Sequence, residues 1–300
     1  GGIYTSDPEK LSLRATMPRF LEMEREHRSL IRALRRQSRE KRDDSSASGA
    51  RYGLFATLAG GVSELIDTLR EKVERTAAMH FETEVQGLAP ERDGRGFVAD
   101  LPFGSKDSFD AVVLAIPAYR AGPAIASFAP RAAEALGRIE YASTAIVVSG
   151  HKLADVRHPL DAFGLVVPAI ERRKILAVSF TSRKFPGRAP EGCVQLRTFV
   201  GGALQPELMQ LSDDEIKKLV QSELEEILGV TWKPDFTIIA RWMRSMPQYH
   251  VGHLELVAAI EKELAAFPRL ALAGNSLYGV GLPDCIHSGE QAAERVYASA

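Results

Sequence analysis

Cysteine is almost missing from this chain. Its 300 residues contain only Cys193 and Cys285, far apart and in no C-x-x-C arrangement, which argues against a disulfide framework and against a cysteine zinc site. A reducing, cytoplasmic setting is the expectation. Excess charge is missing too: 38 Lys and Arg against 39 Asp and Glu leave a formal net charge of -1, so bulk electrostatics argue against a nucleic-acid partner. No apolar run approaches the roughly 18 residues that span a bilayer. No charged-then-apolar leader opens the chain, and peripheral membrane contact stays open. Several catalytic signatures are also lacking. There is no G-x-S-x-G elbow and no G-x-G-x-x-G, because Gly279-Val280-Gly281 continues as Leu282-Pro283-Asp284. His250 and His253 make an H-x-x-H without the glutamate of H-E-x-x-H and without an obvious third ligand, so no metal site is expected. Neither cysteine has a neighbouring base; Cys285, at the start of a helix, is placed for a lowered pKa, but a buried small residue is the commoner role.

What is present is organised around Leu270 to Val296. A short apolar run at 270–273 reads as a buried strand, stops at Gly274-Asn275, passes through Gly279-Val280-Gly281 and restarts as a helix at Pro283. Glycines let backbone approach a ligand, and a helix N-terminus directs N–H groups at an anion. A cofactor-contacting turn and a plain strand-to-helix connection both fit these residues.

The rest of the chain is long enough for one large or two ordinary domains. Leu11 to Arg42 predicts one or two amphipathic helices, with Arg25, Arg28, Arg32, Arg35, Arg36 and Arg39 among Leu30, Ile31 and Leu34. They suit a solvated face, an acidic ligand or an anionic membrane. Asp43 to Ala50 (DDSSASGA) is a polar linker. Phe55 to Leu58 leads to Gly60-Gly61 and a helix carrying Leu65, Ile66, Leu69 and Val73 at helical spacing. Strands are expected at 80–88 and 96–103 around an Arg92-Asp93-Gly94 turn. Another is expected at 109–117, apolar enough to be covered on both faces. From Tyr119 to about Arg244, strands at 144–149, 163–167, 175–181, 194–200 and 236–240 joined by loops, with one helix over 212–228, predict a mixed sheet with helices against one face. Ser212 and Glu215 make a capping box. Trp242 to His253 (WMRSMPQYHVGH) leads to a helix over 254–266. Phe180, Phe199, Trp242 and Tyr249 form an aromatic set suited to a pocket or to a core.

These blocks in this order, GGIYTSDPEKLSLRATMPRF, LFATLAGGVSELIDTL, DAVVLAIPA, RTFVGGA, RWMRSMPQYHVGHLE and LAGNSLYGVGLPDCIHSGEQAAERV, resemble the C-terminal two-thirds of the oxygen-dependent, FAD-containing protoporphyrinogen/coproporphyrinogen III oxidases. The resemblance spans the chain. Its last two blocks are highly specific, whereas DAVVLAIPA is shared by the wider amine-oxidase-like flavoproteins. It implies an α/β (α+β mixed) fold: an FAD-binding oxidase domain built from discontinuous segments, plus a mixed-sheet substrate domain. The implied parts are a helical, substrate-side segment and linker at 1–54, an FAD-domain segment at 55–118, a substrate-binding domain at 119–246 and a C-terminal FAD-domain segment at 247–300.

By position, the resemblance implies that Val85 presents its backbone to the adenine and that Trp242 lies near the flavin ring. Gly274, Gly279, Val280, Gly281 and Leu282 would approach the phosphate and ribityl portion, while Phe199, Gly164 and Leu165 would line the tetrapyrrole cavity. No side chain is required as a base, so no catalytic residue is expected. The implied partners are a porphyrinogen and dioxygen, with a homodimer and peripheral membrane contact left open. The chain departs from the family pattern in lacking the phosphate fingerprint and first βαβ unit. It opens on Gly1-Gly2-Ile3 without an initiator Met, so a fragment is expected, with weak or absent FAD and little activity by itself. Two other readings stay open: a different flavin oxidase of the same superfamily, and a flavin-free tetrapyrrole-binding module.

Overall fold

The computed structural model describes residues 4–43, 56–92 and 94–299. Most of the expected linker, Phe55, and Asp93 of the expected turn lie outside them. The chain forms two compact units, Leu13–Glu84 and a larger one made of Gly1–Ser12 with Val85–Ala300.

The smaller unit is helical. Three helices, α1 (Leu13–Thr16), α2 (Pro18–His27) and α3 (Leu30–Asp43), replace the one or two expected. Pro18 opens α2, and Arg28 ends it in the left-handed region with φ 55°. Helix α4 (Val62–Val73) starts after Gly61, as the glycine pair predicts. Its residues Val62, Ile66, Leu69 and Val73 recur at helical spacing, yet all four are exposed.

The larger unit begins with a three-stranded antiparallel sheet, β1 (Gly87–Pro90), β2 (Phe97–Asp100) and β3 (Lys106–Phe109). The strand expected over 80–88 forms only at its end, because residues 80–85 are exposed and have no strand to pair with. Next comes β4 (Val112–Leu114), shorter than expected. It pairs in parallel with β10 alone, and Val113 and Ile116 are exposed; the expectation of a strand covered on both faces is therefore corrected.

Two helices unforeseen in the sequence follow, α5 (Ala118–Ile125) and α6 (Pro130–Gly137). Gly122, Pro123 and Pro130 punctuate this stretch and disguise it as loop. Ala118, Ala121, Ile125, Ala132, Ala135 and Leu136 are buried nonetheless, packed with Leu88, Phe97, Ile260 and Leu270. Tertiary burial outweighs weak local propensity there.

A five-stranded antiparallel sheet is the main frame. Its strands are β5 (Tyr141–Lys152), β6 (Gly164–Val166), β7 (Ala177–Phe180), followed by the short helix α7 (Thr181–Lys184), then β8 (Cys193–Gly201) and, after helix α8 (Asp213–Leu228), β9 (Phe236–Pro247). The order is β6-β7-β8-β5-β9. Ser212 and Glu215 close the capping box read from the sequence. Ile216, Val220, Leu224 and Leu228 of α8 are buried on Ala145, Val147, Val178, Leu196 and Val200; each such side chain contributes about 1.5–3 kcal/mol as an upper estimate. Strand β9 runs seven residues beyond its expected end at Ala240, because β5 offers a partner almost as far as Pro247. Helix α9 (His253–Leu264), strand β10 (Leu270–Leu272) and helix α10 (Leu282–Tyr297) complete the chain.

Candidate functional site

The turn between β10 and α10 is held from beneath by four side chains. Tyr249, fully buried, donates its phenol to the Asn275 carbonyl at 2.6 Å. His253 donates Nε2–H to the Leu277 carbonyl at 2.9 Å and stacks on the Tyr249 ring, centroids 3.9 Å apart. The Tyr141 phenol lies 2.9 Å from Ser276 Oγ and accepts the Ala118 N–H that begins α5. Ser288 of α10 accepts the Gly274 N–H at 3.1 Å. The loop is thereby fixed before any ligand arrives.

Its glycines have different reasons to be glycine. Both adopt left-handed backbone, Gly274 at φ 103° and Gly279 at φ 82°. Around Gly274 nothing lies within 4 Å of where a Cβ would stand, so the backbone is open to an approaching group. At Gly279 a Cβ would meet the Asp284 carboxyl at 2.5 Å. Asp284 accepts the Gly281 N–H at 3.1 Å, so a carboxylate already sits at the start of α10. The open side of the turn is therefore that of Gly274.

Burial pushes the phenols of Tyr4, Tyr141 and Tyr249 up and keeps them neutral. It pushes the imidazoles of His253 and His151 down, so these too are neutral near pH 7. Cys285 was placed by its helix start for a lowered pKa; burial and then Asp284 raise it instead.

Trp242 is joined to this turn by a short relay. Ser245 donates its hydroxyl to the Trp242 carbonyl at 3.1 Å, and Asn275 donates its amide to the Ser245 carbonyl at 3.4 Å. The Trp242 ring stands on the sheet face opposite α8. Pairing registers and strand alternation put Gly164, Val166, Phe199, Ile146, Ile238 and Ala240 on that same face. Much of it is open: Val166 is 67% exposed, Ile238 59% and Trp242 53%. Leu165 faces the other way and packs into the core under α8, so it is Val166 that shares the open face with Gly164 and Phe199. Val85 is exposed and precedes β1, whose pairing begins beside it when the Gln86 N–H reaches the Asp100 carbonyl. No hydrogen bond places it on the turn.

The supporting side chains Tyr141, Ser276 and Ser288 escaped sequence reading because no motif marks them. Arg197 also escaped it, although its place two residues before Phe199 in RTFVGG sets both on one face.

The chain thus combines a strand, a glycine turn and a helix with an open sheet face. The chain matches the family "Flavin containing amine oxidoreductase" over residues 1–297 and belongs to it. It is 32% identical over 292 residues to coproporphyrinogen III oxidase of Bacillus subtilis (strain 168), covering 97% of this chain and 61% of that protein. Mitochondrial protoporphyrinogen oxidase of Nicotiana tabacum is 28% identical, with 98% and 62% covered. The crystal structure of a candidate protoporphyrinogen oxidase from Exiguobacterium sp. 255-15 superposes with a TM-score of 0.81 at 29% identity, covering all of this chain and 62% of that one. The chain thus spans about three-fifths of the length of these relatives. The resemblance drawn from the sequence blocks leads to the same proteins.

Proposed function

We propose that this chain is the substrate-bearing part of an FAD-dependent porphyrinogen oxidase of haem biosynthesis, converting protoporphyrinogen IX or coproporphyrinogen III to the porphyrin. The observation that carries the reading is the relay from Trp242 through Ser245 to Asn275, which ties an open, largely apolar sheet face to the glycine turn. Such a face suits a macrocycle, and such a turn suits a dinucleotide backbone.

Bound FAD supplies the two-electron acceptor, and three rounds remove six electrons and six protons from the substrate and pass them to three dioxygen molecules, giving three hydrogen peroxide. The protein's share is orientation. With FAD bound, the open Gly274 backbone would take the phosphate and ribityl portion, the 279–282 backbone, tied to Asp284 at Gly281, would form the far side of the turn, Trp242 would lie near the flavin ring, and Val85 would offer its backbone to the adenine. Phe199, Gly164 and Val166 would pack against the macrocycle and keep water from its methylene carbons. No side chain of the chain serves as acid or base; the buried tyrosines stay protonated and the buried histidines neutral. In this reading 55–118 and 247–300 belong to the FAD side and 119–246 to the substrate side, with the protein cytoplasmic and its membrane contact at most peripheral. No helix among the described residues is long and apolar enough to cross a bilayer.

The test is steady-state oxidation of both porphyrinogens, followed by porphyrin fluorescence, in the flavin-loaded protein. Phe199→Ala should lower kcat/KM at least ~10-fold, the scale of losing one well-packed aromatic, with flavin content unchanged. Unchanged kinetics would remove Phe199 from the pocket, and turnover of amines in place of porphyrinogens would replace the reading with that of an amine oxidase.

A further inference from the structure

The open sheet face carries a charge that neither the turn nor the apolar pocket explains. Along β8, Val194, Leu196, Thr198 and Val200 are buried on the α8 side, so Arg197 shares the open face with Phe199. Its row across the sheet reads Gly164, Ser179, Arg197, Val148, Ile238, and the neighbouring row reads Val166, Ala177, Phe199, Ile146, Ala240. In those two rows Arg197 is the sole charged residue. Its guanidinium lies over the Phe199 ring, 5.2 Å from the centroid, and it has no carboxylate partner among the described residues. Its apolar neighbours partly desolvate it and draw its pKa down, although a guanidinium stays cationic at any physiological pH.

An exposed guanidinium on an apolar face, with no carboxylate partner among the described residues, can take one from a ligand. Contact with the Phe199 ring restrains the guanidinium on this face, and its planar fork can receive a carboxylate through two parallel bonds. We propose that Arg197 is a specificity-determining residue that pairs with a carboxylate at the rim of the tetrapyrrole lying on Phe199, and so fixes the rotation of the macrocycle on the sheet. This rests on the tetrapyrrole reading above and adds its anionic anchor. Apolar contact with a near-four-fold macrocycle gives little preference for one rotation, and one charge-assisted pair supplies it.

The experiment titrates the 300-residue chain with coproporphyrin III and, separately, with its uncharged tetramethyl ester, reading tryptophan fluorescence, since Trp242 stands on the same face. One charge-assisted pair is worth roughly 1.5–3 kcal/mol, or about 10–100-fold in affinity. The free acid should bind about that much more tightly than the ester, with the advantage shrinking as salt is raised. Arg197→Gln should abolish the advantage while leaving ester binding within about 2-fold, and Arg197→Lys should restore part of it. Because Arg197 is exposed, both variants should melt with the parent. An Arg197→Gln protein that keeps the full acid-over-ester preference would overturn the role of Arg197 and leave the tetrapyrrole reading standing. Failure of the parent chain to bind either porphyrin would overturn the tetrapyrrole reading itself, and the anchor with it.

Discussion

The Tyr249 hydroxyl and the Asn275 carbonyl meet at 2.6 Å across 26 residues of sequence, inside a core where Tyr249 has no exposed surface. Two turns of chemistry converge on that contact. His253 stacks on the Tyr249 ring and fixes the next-but-one carbonyl, Leu277, so two donors from the end of the WMRSMPQYHVGH block hold alternate peptide oxygens of the glycine turn. The arrangement explains why two sequence blocks some twenty residues apart behave as one unit.

Removing the phenol tests this coupling. Tyr249→Phe leaves the Asn275 carbonyl without that donor and should cost about 1–3 kcal/mol of stability, read as a lower urea midpoint with unchanged slope. The same residue sets an alkaline limit. Burial raises the folded phenol well above its ordinary value of 10.0. Above about pH 10 the unfolded chain therefore releases a proton that the folded chain keeps, and stability falls as pH rises. Tyr249→Phe should lose part of that decline; an unaltered alkaline slope would place its origin in the other raised phenols.

His253 sets a limit at the acid end. Its folded pKa lies below the ordinary histidine value of 6.5, chiefly through desolvation. Below pH 6.5 the unfolded chain takes up a proton that the folded chain refuses, so stability is fully present above that pH and falls as pH drops through it. His253→Gln keeps an N–H donor for Leu277 without the titration. Its stability slope between pH 6.5 and the folded value should be shallower by up to about 1.4 kcal/mol per pH unit. His151, lowered for the same reason, should supply the remainder.

Ser212 is the cap of the helix on which the main sheet rests. Its hydroxyl accepts the Glu215 N–H while Glu215 accepts the Ser212 N–H at 2.8 Å. Ser212→Ala should lower stability by about 1 kcal/mol, and a melting temperature equal to the parent's would show the cap to be idle.

That cap was legible because it is local: a serine, two acids and a glutamate in four residues allow little else. The alternation in Val194 to Val200 was legible for the same reason, and with it the strand that carries Phe199. Helices α5 and α6 were not, since Gly122, Pro123 and Pro130 signal loop and only packing against Ile260 and Leu270, far along the chain, makes them helices. The side to which Leu165 points was likewise hidden. In so short a strand it follows from pairing with Val178, a partner no local pattern identifies. The glycine turn showed its outline but not its support, because Tyr141, Tyr249 and His253 reach it from other elements.

The two left-handed glycines of the turn should respond differently to alanine. Either substitution carries a left-handed backbone penalty of roughly 1–2 kcal/mol. At Gly279 the new methyl must also displace the Asp284 carboxyl, 2.5 Å from its position, and with it the bond from the Gly281 N–H that begins α10. Gly279→Ala should therefore be the less stable variant by about a further 1 kcal/mol or more, visible in thermal melts of the unliganded chain. At Gly274 a methyl meets nothing within 4 Å and projects into the space where the cofactor phosphate is proposed to approach. Gly274→Ala should fold nearly as well as its backbone allows and lose FAD affinity instead, measured as flavin retained after dialysis of the flavin-loaded protein. If Gly274→Ala retained FAD like the parent while Gly279→Ala lost it with its fold intact, the bound group would have to lie on the Gly279 side, and Asp284 would have to move to admit it.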